Sequence, residues 1–167
     1  IIIDNNSVFF YKDKIKNLSV KIKIIENKKN IGFAKAVNQG IRICKSNYVL
    51  LLNPDTYLID RSIINSFRII KKDSRVGAIG GKILNEKLKN NFTANSKPSF
   101  LTGLFEFTNL KKIYPNNKYT SDFWIEKNKK INKPIDVSSL CGAYLLFRKK
   151  INNKLNLFNE KYFLYLE

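Results

Sequence analysis

The chain has no histidine and no methionine, and only two cysteines, four prolines and one tryptophan among its 167 residues. Each scarcity excludes something. Without histidine there is no Ser-His-Asp triad, no imidazole base and no histidine-built zinc centre, so acid–base work falls to carboxylates, Lys, Tyr or Cys. Cys44 and Cys141 are too few for a disulfide framework and show no CxxC spacing. They read instead as buried small hydrophobes in a protein of a reducing compartment. Long apolar runs are missing too, and none approaches the roughly 18 residues of a membrane span. Acidic residues are scarce, 13 against 31 Lys and Arg, which leaves a net charge of +18.

That charge favours anionic partners such as nucleotides, nucleic acid or an acidic membrane face. The joint abundance of Lys, Asn and Ile, spread through most of the chain, is equally the mark of AT-rich coding bias. Apolar residues make up 44% of the chain, enough for one domain with a real core. The chain opens inside a strand pattern and closes on Tyr162-Phe163-Leu164-Tyr165-Leu166-Glu167 with no polar tail. It is therefore read as one incomplete domain over residues 1–167, an internal piece of a longer protein, whose own secretory signal, if any, would lie outside it.

Two short apolar runs organise the first half. Tyr48-Val49-Leu50-Leu51-Leu52 stops at Asn53-Pro54-Asp55-Thr56, and Ile1-Ile2-Ile3 stops at Asp4-Asn5-Asn6-Ser7. Runs of this length bounded by turn residues suit strands buried on both faces. Ligands of open α/β sheets bind outside the carboxyl ends of such strands, so if the two strands are parallel neighbours Asp4 and Asp55 fall on one rim. Between them Val20–Ile25 reads as a strand and 30–44 as a helix with its entrance, Phe33, Val37, Ile41 and Cys44 recurring on one face. Asp60 reads as the N-cap of a helix carrying Ile63, Ile64, Phe67 and Ile70, and Val76–Leu84 as a strand whose glycines mark a bulge or close approach. This rhythm predicts an α/β fold with a mostly parallel central sheet flanked by helices. Residues 85–134 break it as an irregular insertion, apolar only at 100–110 and followed by Tyr114, Tyr119, Phe123 and Trp124. Strands are expected again at 135–139 and 142–147.

Asp55, at a strand end after Pro54, suits a divalent cation that shares its ligands with substrate phosphates; the same Asn-Pro-Asp-Thr is also good turn sequence. Asp4 is either a ligand contact or an Asx turn. In Asn30-x-Gly32-Phe33-Ala34-x-x-x-Asn38, Gly32 and Ala34 permit close approach, the helix entrance suits an anion, and Asn38 suits a base or ribose. Glu167 is either a shielded acid–base group or an ordinary exposed carboxylate.

Taken in order, these motifs resemble a family-2 glycosyltransferase, especially its rhamnosyltransferase-like branch. Val76-Gly77-Ala78-Ile79-Gly80-Gly81-Lys82, Cys141-Gly142-Ala143-Tyr144, Leu157-Phe158-Asn159-Glu160 and the terminal aromatic run extend the resemblance over almost the whole chain. It implies a GT-A fold, a nucleotide-diphospho-sugar donor, Mg²⁺ or Mn²⁺, and inversion at the anomeric carbon. It also implies a glycan or lipid-linked acceptor in cell-surface polysaccharide synthesis, at a cytoplasmic location extending to the inner face of the membrane, with no nucleic acid. On this resemblance Asp4, Asn30, Gly32, Phe33, Ala34, Asn38, Asn53 and Asp55 bind the donor, Asp55 holds the metal, and Gly142 and Ala143 stand on the acceptor side. Asn53 replaces the first acid of the metal motif, as is usual in that branch. Glu167 matches the first residue of the catalytic Glu-Asp motif, whose Asp would lie beyond the chain; a first strand would precede Ile1. Asn159, where the family usually has Asp, affects a turn. The competing class is a basic single-stranded nucleic-acid-binding module using Lys and the aromatics between Tyr114 and Trp124 as stacking platforms. A sugar-nucleotide pyrophosphorylase lacks support because its Gly-rich, Arg- and Lys-bearing phosphate loop is not seen.

Overall fold

The computed structural model describes residues 1–8, 15, 19–89, 94–123 and 133–163. The elements begin with β1 (Ile2–Asp4), β2 (Ile24–Glu26), α1 (Phe33–Ile43), β3 (Tyr48–Leu52), α2 (Ser62–Lys72) and β4 (Ala78–Gly80). They continue with β5 (Ala94–Asn95), α3 (Phe100–Phe107), α4 (Leu110–Ile113), α5 (Lys118–Phe123), β6 (Ser139–Leu140), β7 (Tyr144–Arg148), β8 (Lys150–Ile151) and β9 (Lys154–Leu155). The chain falls into two compact units, Ile1–Val49 with Arg148–Glu167, and Leu50–Phe147.

In the first unit β1 and β2 pair in parallel, Ile2 opposite Ile24 and Asp4 opposite Glu26, and α1 packs on β1. Helix α1 buries Ala34, Ala36, Asn38 and Ile41. The expected stripe is only partly right: Ile41 is in the core, whereas Phe33, Val37 and Cys44 are half-buried. The small alanines bring the backbone itself inward and displace the apolar face by about one position. Neither cysteine is fully buried. The hairpin of β8 and β9 turns through Asn152 and Asn153, both at positive φ (49° and 62°), the pattern of a tight hairpin turn.

The second unit is built on the order β3-β7-β4. Strand β7 is its most buried element, with Tyr144, Leu146 and Phe147 each under 5% exposed. It runs antiparallel to β4, with Ile79 opposite Leu146. At Gly81 a Cβ would stand 2.7 Å from the Tyr144 ring, so the expected close approach is real. Helix α2 buries Ile70 completely, worth about 2 kcal/mol, but leaves Ile63, Ile64 and Phe67 more than a third exposed.

The mostly parallel central sheet is corrected. Only β1–β2 is a parallel pair in the registers described; β4–β7, β5–β6 and β8–β9 are antiparallel. The segment β3–α2–β4 keeps the expected rhythm, but the strand between β3 and β4 is β7, which arrives from far along the chain. Three further expectations change. The strand expected over 20–25 forms only at Ile24–Glu26, and that over 76–84 only at Ala78–Gly80. Residues 135–137 are irregular, with pairing confined to Ser139–Leu140. Asp60 is not an N-cap: it sits at φ 54° and Arg61 takes the cap position without a side-chain bond. The expected insertion holds the short strand β5 and three helices, α3, α4 and α5, among its described residues, and Ser99 caps α3 by accepting from Thr102 N–H at 3.0 Å. Among the described residues no helix is long and apolar enough to cross a membrane.

Candidate functional site

The candidate residues divide between the two units: Asp4, Asn30, Gly32, Phe33, Ala34 and Asn38 belong to the first, and Asn53, Asp55, Gly142 and Ala143 to the second. Glu167 lies outside the described residues.

In the first unit Asp4 closes β1 and is half-buried. Its carboxylate accepts the Ser7 N–H at 2.8 Å, the Asx turn anticipated for Asp-Asn-Asn-Ser. Beside it runs a ladder of amides. Asn5 donates to Asn30 Oδ1 at 2.7 Å, accepts from Asn27 at 3.1 Å, and accepts the Ile31 N–H at 3.1 Å. Asn27 and Gln39 exchange bonds at 3.0 and 2.9 Å, and Asn30 Oδ1 also takes the Gly32 N–H at 2.9 Å. The loop entering α1 is thus tied to the ends of β1 and β2. Sequence reasoning named Asn30 but missed Asn5, Asn27 and Gln39; only Asn5 had a signal, since it lies in the turn after β1.

The entrance of α1 is not open backbone. The Phe33 N–H donates to Phe163 O at 2.9 Å, and the Phe33 ring meets Phe158 edge-on at 5.9 Å. Gly32 sits at φ 87°, where a Cβ would lie 2.9 Å from Phe163 O. Gly32→Ala is therefore expected to cost about 2–3 kcal/mol, from left-handed strain plus a backbone clash, in urea unfolding of the full chain. A loss under about 0.5 kcal/mol would mean the 158–163 segment is not seated there.

Asn38 has a different part from the one expected. It is wholly buried. Its Nδ2 donates to Phe158 O and Glu160 Oε1, each at 2.9 Å, and its Oδ1 accepts the Phe158 N–H at 2.9 Å. An amide so engaged has neither proton left for a base or ribose. It clamps the 158–160 segment onto α1. Ala34, on the same helix α1, is equally buried. Glu160 also takes Arg42 at 2.8 Å. The Asn38 amide foremost, then Arg42, holds the Glu160 carboxyl below its ordinary value. Such a group contributes stability above its unfolded pKa, and that contribution is lost as pH falls through the lowered folded value. Asn159 Oδ1 accepts the Lys161 N–H at 3.1 Å, a turn role as expected.

In the second unit the two loops come together. Asn53 N–H donates to Ala143 O at 3.0 Å, Thr56 N–H to Asn53 O at 3.2 Å, and Thr56 Oγ1–H reaches Ala143 O at 3.4 Å. The turn after β3 is thereby fixed against Gly142-Ala143, with the Asp55 side chain exposed. Among the described residues no group of three or more His, Cys, Asp or Glu gathers into an all-protein metal cage. One exposed carboxylate on a rigid turn does fit a hard cation that takes its other oxygens from a diphosphate and water. A separate cavity of about 390 Å³ in the first unit is lined by Lys45, Ser46, Asn47, Tyr48, Arg148, Lys149 and Lys150, none of them a predicted site residue. There Arg148 donates to Tyr48 Oη at 3.2 Å and Lys149 Nζ donates to Cys44 O.

Comparison with known proteins gives these positions a context. The sequence profile described as glycosyl transferase family 2 matches residues 1–155. Two curated relatives, from Mycobacterium tuberculosis strains CDC 1551 / Oshkosh and ATCC 25618 / H37Rv, are each named N-acetylglucosaminyl-diphospho-decaprenol L-rhamnosyltransferase. Each is 25% identical over 157 residues, covering 87% of this chain and 50% of the relative. The chain thus spans about half the length of the curated relatives it matches. No solved structure matches it. The profile extends from β1, past the Asn53–Asp55 turn, to the hairpin after β7, and on that extent the chain belongs to glycosyl transferase family 2.

Proposed function

We propose that the chain is the donor-binding part of an inverting glycosyltransferase of GT-A type. It moves a sugar from a nucleotide-diphospho-sugar to a glycan or lipid-linked acceptor in cell-surface polysaccharide synthesis, on the cytoplasmic side. The observation that carries this reading is the β3 turn: its backbone is locked to Ala143 while Asp55 projects an exposed carboxylate. The relatives' name, which includes a diphospho-decaprenol-linked substrate, supports a lipid-linked acceptor and rhamnosyl transfer.

In this reading Asp4 contacts the donor's base, and the Asn30–Phe33 loop, held by the amide ladder, shapes the nucleotide pocket. Asn38 positions that loop from behind through α1. Asp55, with Asn53 beside it, holds Mg²⁺ or Mn²⁺, and Gly142 and Ala143 lie toward the acceptor. The cation, when bound, would relieve charge on the departing diphosphate. Displacement at the anomeric carbon also needs a base for the acceptor hydroxyl, and Glu167 is the carboxylate this reading puts to acid–base work.

The reading predicts that nucleoside diphosphates bind the chain only with Mn²⁺ or Mg²⁺, as isothermal titration would show. Metal-independent binding to single-stranded nucleic acid, falling steeply with salt, would favour the other class. Two of the aromatics weigh against it, since the Tyr119 ring lies 5.5 Å from Phe105 and is half-buried, as is Phe123; Tyr114 is exposed, and Trp124 lies outside the described residues.

A further inference from the structure

Helix α3 turns Thr102 and Glu106 inward, with Phe105 against Tyr119, and leaves its other large apolar side chains outward. Thr102 is 6% exposed, its hydroxyl 2.9 Å from Ser99 Oγ and 3.5 Å from Tyr119 O. Glu106 is half-buried and paired with Lys111 at 2.6 Å. On the opposite side Phe100 is 84% and Phe107 90% exposed, with Leu104 and Leu101 at 37% and 39%. At 100° per residue, Phe100, Leu104 and Phe107 fall within about 60° of one another.

The neighbouring helices extend the pattern. Ile113 and Tyr114, at the end of α4, are more than half exposed. They line a mainly apolar cavity of about 480 Å³ with Phe105, Pro115, Asn116 and Asn117. The same cluster carries Lys111, Lys112 and Lys118, the last two exposed. An apolar face with lysines beside it, in a chain of net charge +18, is complementary to a surface that is apolar beneath and anionic above. Eight residues are far too short to span a bilayer, so the helix would lie in the interface plane.

We infer that the outer face of α3, with Ile113 and Tyr114, docks at the headgroup–acyl boundary of an anionic lipid bilayer. This is separate from the donor site: none of these residues is assigned to nucleotide, metal or acceptor, so either reading can fail alone. The full chain is expected to co-sediment with phosphatidylglycerol vesicles and only weakly with phosphatidylcholine vesicles. The double substitution Phe100→Ser with Phe107→Ser should lower partition onto phosphatidylglycerol by at least about tenfold, because two exposed rings leave the interface. Lys112→Glu with Lys118→Glu should weaken it too, most at low salt. Circular dichroism and unfolding midpoint are checked for both variants, which replace exposed side chains and are expected to fold. Undiminished vesicle binding by the folded Phe100→Ser/Phe107→Ser protein would overturn the inference. So would a wild-type dimer, seen by ultracentrifugation, that binds no vesicles and becomes monomeric in that variant, since the face would then serve a second copy.

Discussion

Asp55→Asn is expected to lower metal-dependent nucleoside diphosphate affinity by about 100-fold or more while leaving the unfolding free energy within about 0.5 kcal/mol. The contrast follows from the turn's construction. Its backbone is held by Asn53 N–H and Thr56 on Ala143 O, bonds that do not involve the Asp55 side chain. The carboxylate is exposed and supports no packing. What the substitution removes, on the proposed reading, is a charged oxygen ligand, and no cluster of acids among the described residues stands ready to replace it. Titration with and without Mn²⁺, beside urea unfolding, separates the two effects. If Asp55→Asn kept full metal dependence, the cation would be held elsewhere and the proposed donor site would be misplaced.

The second large effect belongs to stability. Asn38→Leu keeps roughly the side-chain volume but deletes three hydrogen bonds to Phe158 and Glu160 inside a fully buried position. The half-buried Phe158 N–H and C=O so abandoned cost about 1–3 kcal/mol each when unsatisfied, while exposed Glu160 can turn to water, so a loss of about 3 kcal/mol is expected by urea unfolding. That is a large part of the roughly 5–15 kcal/mol that holds a typical domain. By contrast, Arg42→Ala removes only a half-exposed ion pair with Glu160 and should cost under about 1 kcal/mol. Equal losses in the two variants would show that Asn38 is not the clamp, and that the helix-to-segment contact rests on surface charge.

Local patterns carried much of the candidate site. An apolar run ending in Asn-Pro-Asp-Thr reads as a strand and turn because Pro and Asp act within a few residues, and that turn is present after β3. Asp4-Asn5-Asn6-Ser7 is likewise a local device, and Asn6 adopts the positive φ of 68° that such turns use. The helices over Phe33–Ile43 and Ser62–Lys72 were legible from periodicity. Asn38 was not. Its type suits a ligand contact or a buried clamp, and the choice depends on Phe158 and Glu160, more than a hundred residues away. The same holds for Gly32, whose need for glycine comes partly from Phe163.

By itself the amino-acid sequence determined the family, the α/β alternation, the turn that projects Asp55 and the absence of imidazole chemistry, because each depends on residue type and short spacing. Tertiary structure alone decided that β7 enters between β3 and β4 and makes that sheet antiparallel, that Asn38 is a clamp, and that α3 turns Phe100 and Phe107 outward. The physical reason is common to all three. Which face of an element is buried, and which strand it pairs with, is set by partners remote in the chain, and no window of neighbouring residues contains them.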